Sequence, residues 1–109
     1  MKRVLFDEDM PRQLRRDLPE FEIRTVQEQG WSSIQNGELL RRASAAFFDV
    51  LVTADQRLQY QQNIAAFDIG VVVIVSIDTR LPNLRTALPQ LRAAILSVAR
   101  GSLAIVTAS

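Results

Sequence analysis

Apolar positions along the chain gather into five short runs rich in β-branched residues: Arg3 to Phe6, Phe21 to Val26, Val50 to Thr53, Val71 to Ser76 and Leu103 to Thr107. The segments between four of the successive pairs can hold helices, which is the alternation of an α/β fold. Pro11 stands where a first helical residue would, so PRQLRRDL is expected to form a short helix ending before Pro19. In SSIQNGELLRRASAAFF, the residues Ile34, Leu39, Leu40, Ala43, Ala46 and Phe47 recur at near-helical period and are expected to bury one side. Gly37 weakens that helix at its start. The longest pattern is Leu84, Leu88, Leu91, Ile95, Val98 and Ala99, with Pro89 splitting it and Gly101 expected just past its end. The run VVVIV is uninterrupted rather than alternating, as in a central strand covered on both faces. These elements predict one domain over residues 1–109, a three-layer α/β/α sandwich around a mainly parallel sheet of about five strands.

Composition narrows the chemistry. With 109 residues, 48% hydrophobic and 23% charged, the chain can bury a sizeable core. It has no cysteine and no histidine, which removes disulfides, thiol nucleophiles, Ser-His-Asp triads and His- or Cys-ligated metals together. Carboxylates remain as the strong metal ligands and general bases. Asp7 interrupts the first apolar run, and no stretch reaches the roughly 18 apolar residues of a membrane span, so a cytoplasmic chain without a membrane partner is expected. The formal net charge is only +1, yet 12 of the 13 basic residues are arginine, which suits phosphate and carboxylate forks but also follows from a GC-rich genome.

In a parallel sheet, sites form at the carboxyl ends of strands. Asp7 follows the first strand and Asp55 follows the third, so the two face one crevice if those strands are neighbours. Glu38, in the first turn of the second helix, could complete a set of three holding hydrated Mg²⁺ or Mn²⁺. The bland reading is that such residues are caps and turn formers, Asp9 on the first helix and Asp55 on the third. Glu8 and Asp17 are expected to face solvent or support helices, and Asp49 lies at the wrong end of its strand for the site. The opening MKRVLFDED also has the look of a response-regulator receiver. That family needs a lysine after its last strand, however, and Lys2 is the only lysine here.

VLFDEDMPRQL, then NGELL, then DVLVTADQRLQYQQNI resemble, in order and spacing, the short bacterial PIN-like proteins associated with antitoxins, whose pattern reads LFDEN-LP, an acidic helix start, and LVT-x-D. The resemblance spans about the first 75 residues. It implies a PIN-like fold, a metal-dependent ribonuclease ancestry with Mg²⁺ or Mn²⁺, and Asp7, Glu38 and Asp55 as the catalytic and metal-binding acids. It also implies single-stranded RNA as substrate and an antitoxin-like protein as partner. One departure stands out: active relatives commonly read T-x-D-x-D-F, and the second aspartate is here Arg57. A guanidinium at that position weakens divalent binding by repulsion and favours phosphate. The competing expectation is therefore an inactive PIN-like module that pairs with an antitoxin-like protein or forms a homodimer.

Candidate nucleic-acid contacts are Arg12, Arg15 and Arg16 on the first helix, Arg57, and the amides of Gln61 and Asn63 beside Tyr60. The bland reading of the basic face is a solvated helix surface. Trp31 is expected to be a packing anchor.

Overall fold

A computed structural model describes residues 1–108. The five apolar runs form strands β1 (Arg3–Phe6), β2 (Glu22–Thr25), β3 (Val50–Thr53), β4 (Gly70–Val75) and β5 (Leu103–Thr107). They make one sheet in the order β2-β1-β3-β4-β5, and every neighbouring pair is parallel. Helices α1 (Asn36–Ala45), α2 (Leu58–Gln61), α3 (Leu81–Arg85) and α4 (Leu88–Ser97) connect the strands, with 3-10 turns at Arg12–Asp17 and Ile64–Ala66.

The sheet is covered on both faces because alternate strand residues feed two separate cores. Val4, Phe6, Val52, Val72 and Ile74 pack with Leu14, Leu84, Leu91 and Ile95 on one side. Leu5, Leu51, Val71 and Val73 pack with Leu39, Leu40, Phe48 and Leu58 on the other. This is the predicted α/β/α sandwich, and Val71 to Ile74 of the unbroken VVVIV run are fully buried for that reason, with Val75 at the strand end partly buried. Trp31 meets the Phe48 ring edge-on at 6.3 Å and 75°, the packing role expected of it. Among the described residues no helix is long and apolar enough to cross a membrane.

Local outcomes differ from the periodicity in three places. PRQLRRDL forms a 3-10 turn over Arg12–Asp17 rather than an α-helix, since the seven residues between Pro11 and Pro19 leave little room for i to i+4 bonds. Phe47 does not continue the buried face of α1: it lies beyond the helix end with φ 65° and is 79% exposed, while Phe48 fills the core. Gly101, at φ 78°, is not the cap of α4, which ends at Ser97. It closes the turn into β5, with its N–H donated to the Ile69 carbonyl.

The sole lysine has a structural task. Lys2 Nζ donates to the carbonyls of Ile95 and Leu96 at 3.0 and 2.8 Å, satisfying open acceptors in the last turn of α4 and neutralising the negative end of its dipole. Lys2→Met keeps the alkyl stem but not the charge, and is expected to cost about 0.5–1 kcal/mol. Urea denaturation measures this directly; an unchanged midpoint would show that water replaces the ammonium without loss.

Candidate functional site

The strand order reverses between β1 and β3, because the chain leaves β1 towards β2 and returns on the other side. The carboxyl ends of β1 and β3 therefore part into a crevice. Asp7 and Asp55 meet there, as their positions after the two strands predict. The cleft, about 510 Å³, is lined by Asp7, Glu8, Asp9, Asp55, Arg57, Asn36, Gln61 and Gln62, with residues 33–35 completing its wall.

A fully buried threonine organises the acids. Thr53 ends β3, and its hydroxyl donates to Asp7 Oδ2 at 2.7 Å, lies 3.4 Å from Asp9 Oδ2 and accepts the Asp55 N–H at 3.0 Å. A polar residue closing an otherwise apolar strand must find such partners when buried, and that signal was available in LVTAD. Asp7 also accepts the Glu8 N–H at Oδ1, 2.8 Å away.

Asp9 is the residue sequence reasoning missed. It is no helix cap: the 3-10 turn after Pro11 has no side-chain cap, and the Asp9 carboxylate reaches across to accept the Ala54 N–H at 3.2 Å. Burial, with Asp7 and more weakly Asp55 adding repulsion, pushes its pKa up from 3.8 to about 6 against the opposing hydrogen bonds from Ala54 and Thr53. The sequence carried a hint, because Asp9 occupies the asparagine position of the LFDEN pattern. Glu8 is exposed, as expected, and it also lines the cleft and accepts the Ser33 N–H.

Asp55 is held on both oxygens. Arg57 donates from Nε to Oδ1 at 3.1 Å and from Nη2 to Oδ2 at 3.3 Å; the Arg57 backbone N–H reaches Oδ1 at 3.0 Å and Asn36 Nδ2 reaches Oδ2 at 3.2 Å. The Arg57 side chain, ahead of the other donors, lowers the Asp55 pKa.

Glu38 does not join the acids. Arg41 and Arg42, three and four residues along α1, take its carboxylate on the helix surface and lower its pKa, Arg42 most, and Glu38 is not among the residues of the cleft wall. Gly37, by contrast, has a positional reason: a Cβ there would lie 3.1 Å from Gln62 Oε1, so glycine leaves room for that amide beside the cleft.

Of the predicted nucleic-acid contacts, Arg57 and Gln61 line the cleft. Arg12 is exposed in an adjoining depression that shares Glu8 with it. Arg15 is committed elsewhere, in a two-pronged pair with Glu28 at 2.9 and 3.0 Å that brings the Glu28 pKa down to about 2. Asn63 lies outside the cleft wall, where its carbonyl accepts the Ala66 N–H in the following turn.

The predicted trio of Asp7, Glu38 and Asp55 is thus not assembled, and among the described residues no group of three or more acidic side chains is set to enclose a metal ion. Mg²⁺, however, commonly keeps several waters and takes only one or two carboxylates. Asp7 and Asp9, brought to one hydroxyl and mutually repelling, have the donor chemistry for such a hydrated cation. No family model matches this chain, and no match was found among curated proteins or solved structures.

Proposed function

We propose that this chain is a PIN-like, toxin-type ribonuclease that cleaves single-stranded RNA in the cleft between β1 and β3 with Mg²⁺ or Mn²⁺, and that it pairs with an antitoxin-like protein. The observation that carries this reading is the convergence of Asp7, Asp9 and Asp55 on Thr53 at the switch point of a parallel sheet. Asp7 and Asp9 would hold the cation, and Asp55 would contribute when Arg57 is turned away. When bound, the metal supplies an activated water and neutralises charge on the scissile phosphodiester. Thr53 orients Asp7 through its donated hydrogen bond. Gln61 and Gln62 present amides to the sugar and bases of a strand, and exposed Tyr60 offers a stacking ring on the same short helix. Asp9, whose carboxyl pKa is pushed up to about 6 by burial and by Asp7, would have to be ionised to hold a cation, so binding there would favour pH above 6.

The test is cleavage of a labelled single-stranded RNA with Mn²⁺, with Mg²⁺ and in EDTA. Cleavage is expected with either metal, lost in EDTA and restored by excess Mn²⁺; a rate indifferent to EDTA would reject the metal-dependent site. A second reading, an inactive module binding an antitoxin-like protein or a second copy, draws support from the clasp of Arg57 on Asp55. It draws further support from edge strand β5, which has no charged residue and leaves Ile105 52% exposed. That reading expects no cleavage under any of these conditions.

A further inference from the structure

Among the residues of the cleft wall, Asp7, Glu8, Asp9 and Asp55 are acidic and Arg57 alone is basic. A nucleic-acid phosphate entering this space meets four carboxylates, so in the absence of a metal its entry depends on that one guanidinium. The same group is engaged with Asp55 through a two-pronged contact, although the Arg57 side chain is 76% exposed. The exposure is one-sided, since the Asp55 side chain is only 18% exposed; the guanidinium is the partner in solvent, and water can solvate it when it leaves. The guanidinium fork fits a phosphodiester as well as it fits a carboxylate.

Asp55 is prepared for the loss of its partner. The Arg57 backbone N–H and the Asn36 amide each bond one of its oxygens, so departure of the guanidinium leaves the carboxylate oriented but uncovered. An arginine whose only task was to fix Asp55 would duplicate donors already in place.

We propose that Arg57 is a phosphate-binding residue held in reserve. Its guanidinium exchanges the Asp55 carboxylate for a nucleic-acid phosphodiester when a single strand enters, and strand binding thereby uncovers Asp55 inside the cleft. The inference rests on the proposed nucleic-acid function for the identity of the ligand, but not on metal or cleavage.

The exchange is measurable in EDTA by fluorescence anisotropy with a labelled 2′-deoxy hexanucleotide. Asp55→Asn and Asp7→Asn each remove one negative charge from the cleft, but only the first frees Arg57. Asp55→Asn is expected to tighten binding about tenfold and Asp7→Asn only about twofold to threefold, the general gain from losing a negative charge. In an Arg57→Ala background the excess gain of Asp55→Asn should vanish, and Arg57→Ala alone should weaken binding about fivefold. Equal tightening by the two asparagine variants, or an Asp55→Asn excess that persists without Arg57, would overturn the exchange while leaving the ribonuclease reading standing. If neither the wild-type protein nor any variant binds the oligonucleotide, the exchange is rejected, while the ribonuclease reading is decided separately by the cleavage assay with Mn²⁺. Far-UV circular dichroism and urea midpoints establish that each variant compared is folded.

Discussion

Asp7→Asn is expected to lower metal-dependent RNA cleavage about a hundredfold or more, equivalent to roughly 3 kcal/mol of transition-state stabilisation, while the protein stays folded. Asp7 combines the features that make such a loss large. It follows β1 directly, its backbone N–H is tied to the Val52 carbonyl, and its side chain is fixed by Thr53 and by the Glu8 N–H. Asparagine retains the shape and one acceptor for these donors, so the site is expected to keep its geometry and lose a charge. Removing that charge also relieves the repulsion on Asp9, whose pKa should fall towards the ordinary carboxylate range. Cleavage kinetics and the carboxyl titration of Asp9 by NMR therefore report on the same change. Full activity in Asp7→Asn would remove this residue from the proposed chemistry; a lowered Asp9 pKa alongside it would show that the cluster exists but serves something else.

The sheet was legible in the sequence because burial on two faces writes itself as uninterrupted β-branched runs, and all five strands fall within their predicted runs or one residue from them. Asp7 and Asp55 were legible for a related reason: in a parallel sheet, position after a strand sets the end of the molecule at which a side chain emerges. Glu38 shows the limit of that logic. Its place in the first turn of α1 suits a site, yet Arg41 and Arg42 compete for the carboxylate at one-turn spacing. Asp9 was hidden by a sufficient local explanation, that of a cap before Pro11, whereas its partner is Ala54, distant in sequence and brought close by the pairing of β1 with β3. Phe47 and Phe48 differ by 100° of helical rotation at a helix end, where a single residue in the left-handed region decides which ring enters the core.

Asp9→Asn is expected to stabilise the protein at pH 7.5, although it alters a residue of the candidate site. The folded-state pKa of Asp9, about 6, lies above its ordinary value of 3.8. Below about pH 4 the carboxyl is protonated in both folded and unfolded chains and carries no ionisation penalty. As pH rises from 4 to 6 the unfolded chain ionises while the fold retains its proton, and stability falls; above 6 the whole penalty is present. The shift alone would correspond to roughly 3 kcal/mol, reduced to about 1–2 kcal/mol because the group is only partly shielded from water. Asparagine removes the charge and keeps an acceptor for the Ala54 N–H. Urea denaturation should therefore show the variant more stable by about 1–2 kcal/mol at pH 7.5, with the difference shrinking through pH 6 and gone by pH 4. Millimolar Mn²⁺ should stabilise the wild-type protein and scarcely affect the variant, since the cation binds where the repulsion is greatest. A variant equal to or weaker than wild type at pH 7.5 would show that the Asp9 carboxylate is already compensated in the fold. A third acid that costs stability at neutral pH and recovers it only with a cation would be hard to explain as a cap or a turn former, and would make Asp9 a member of the site in its own right.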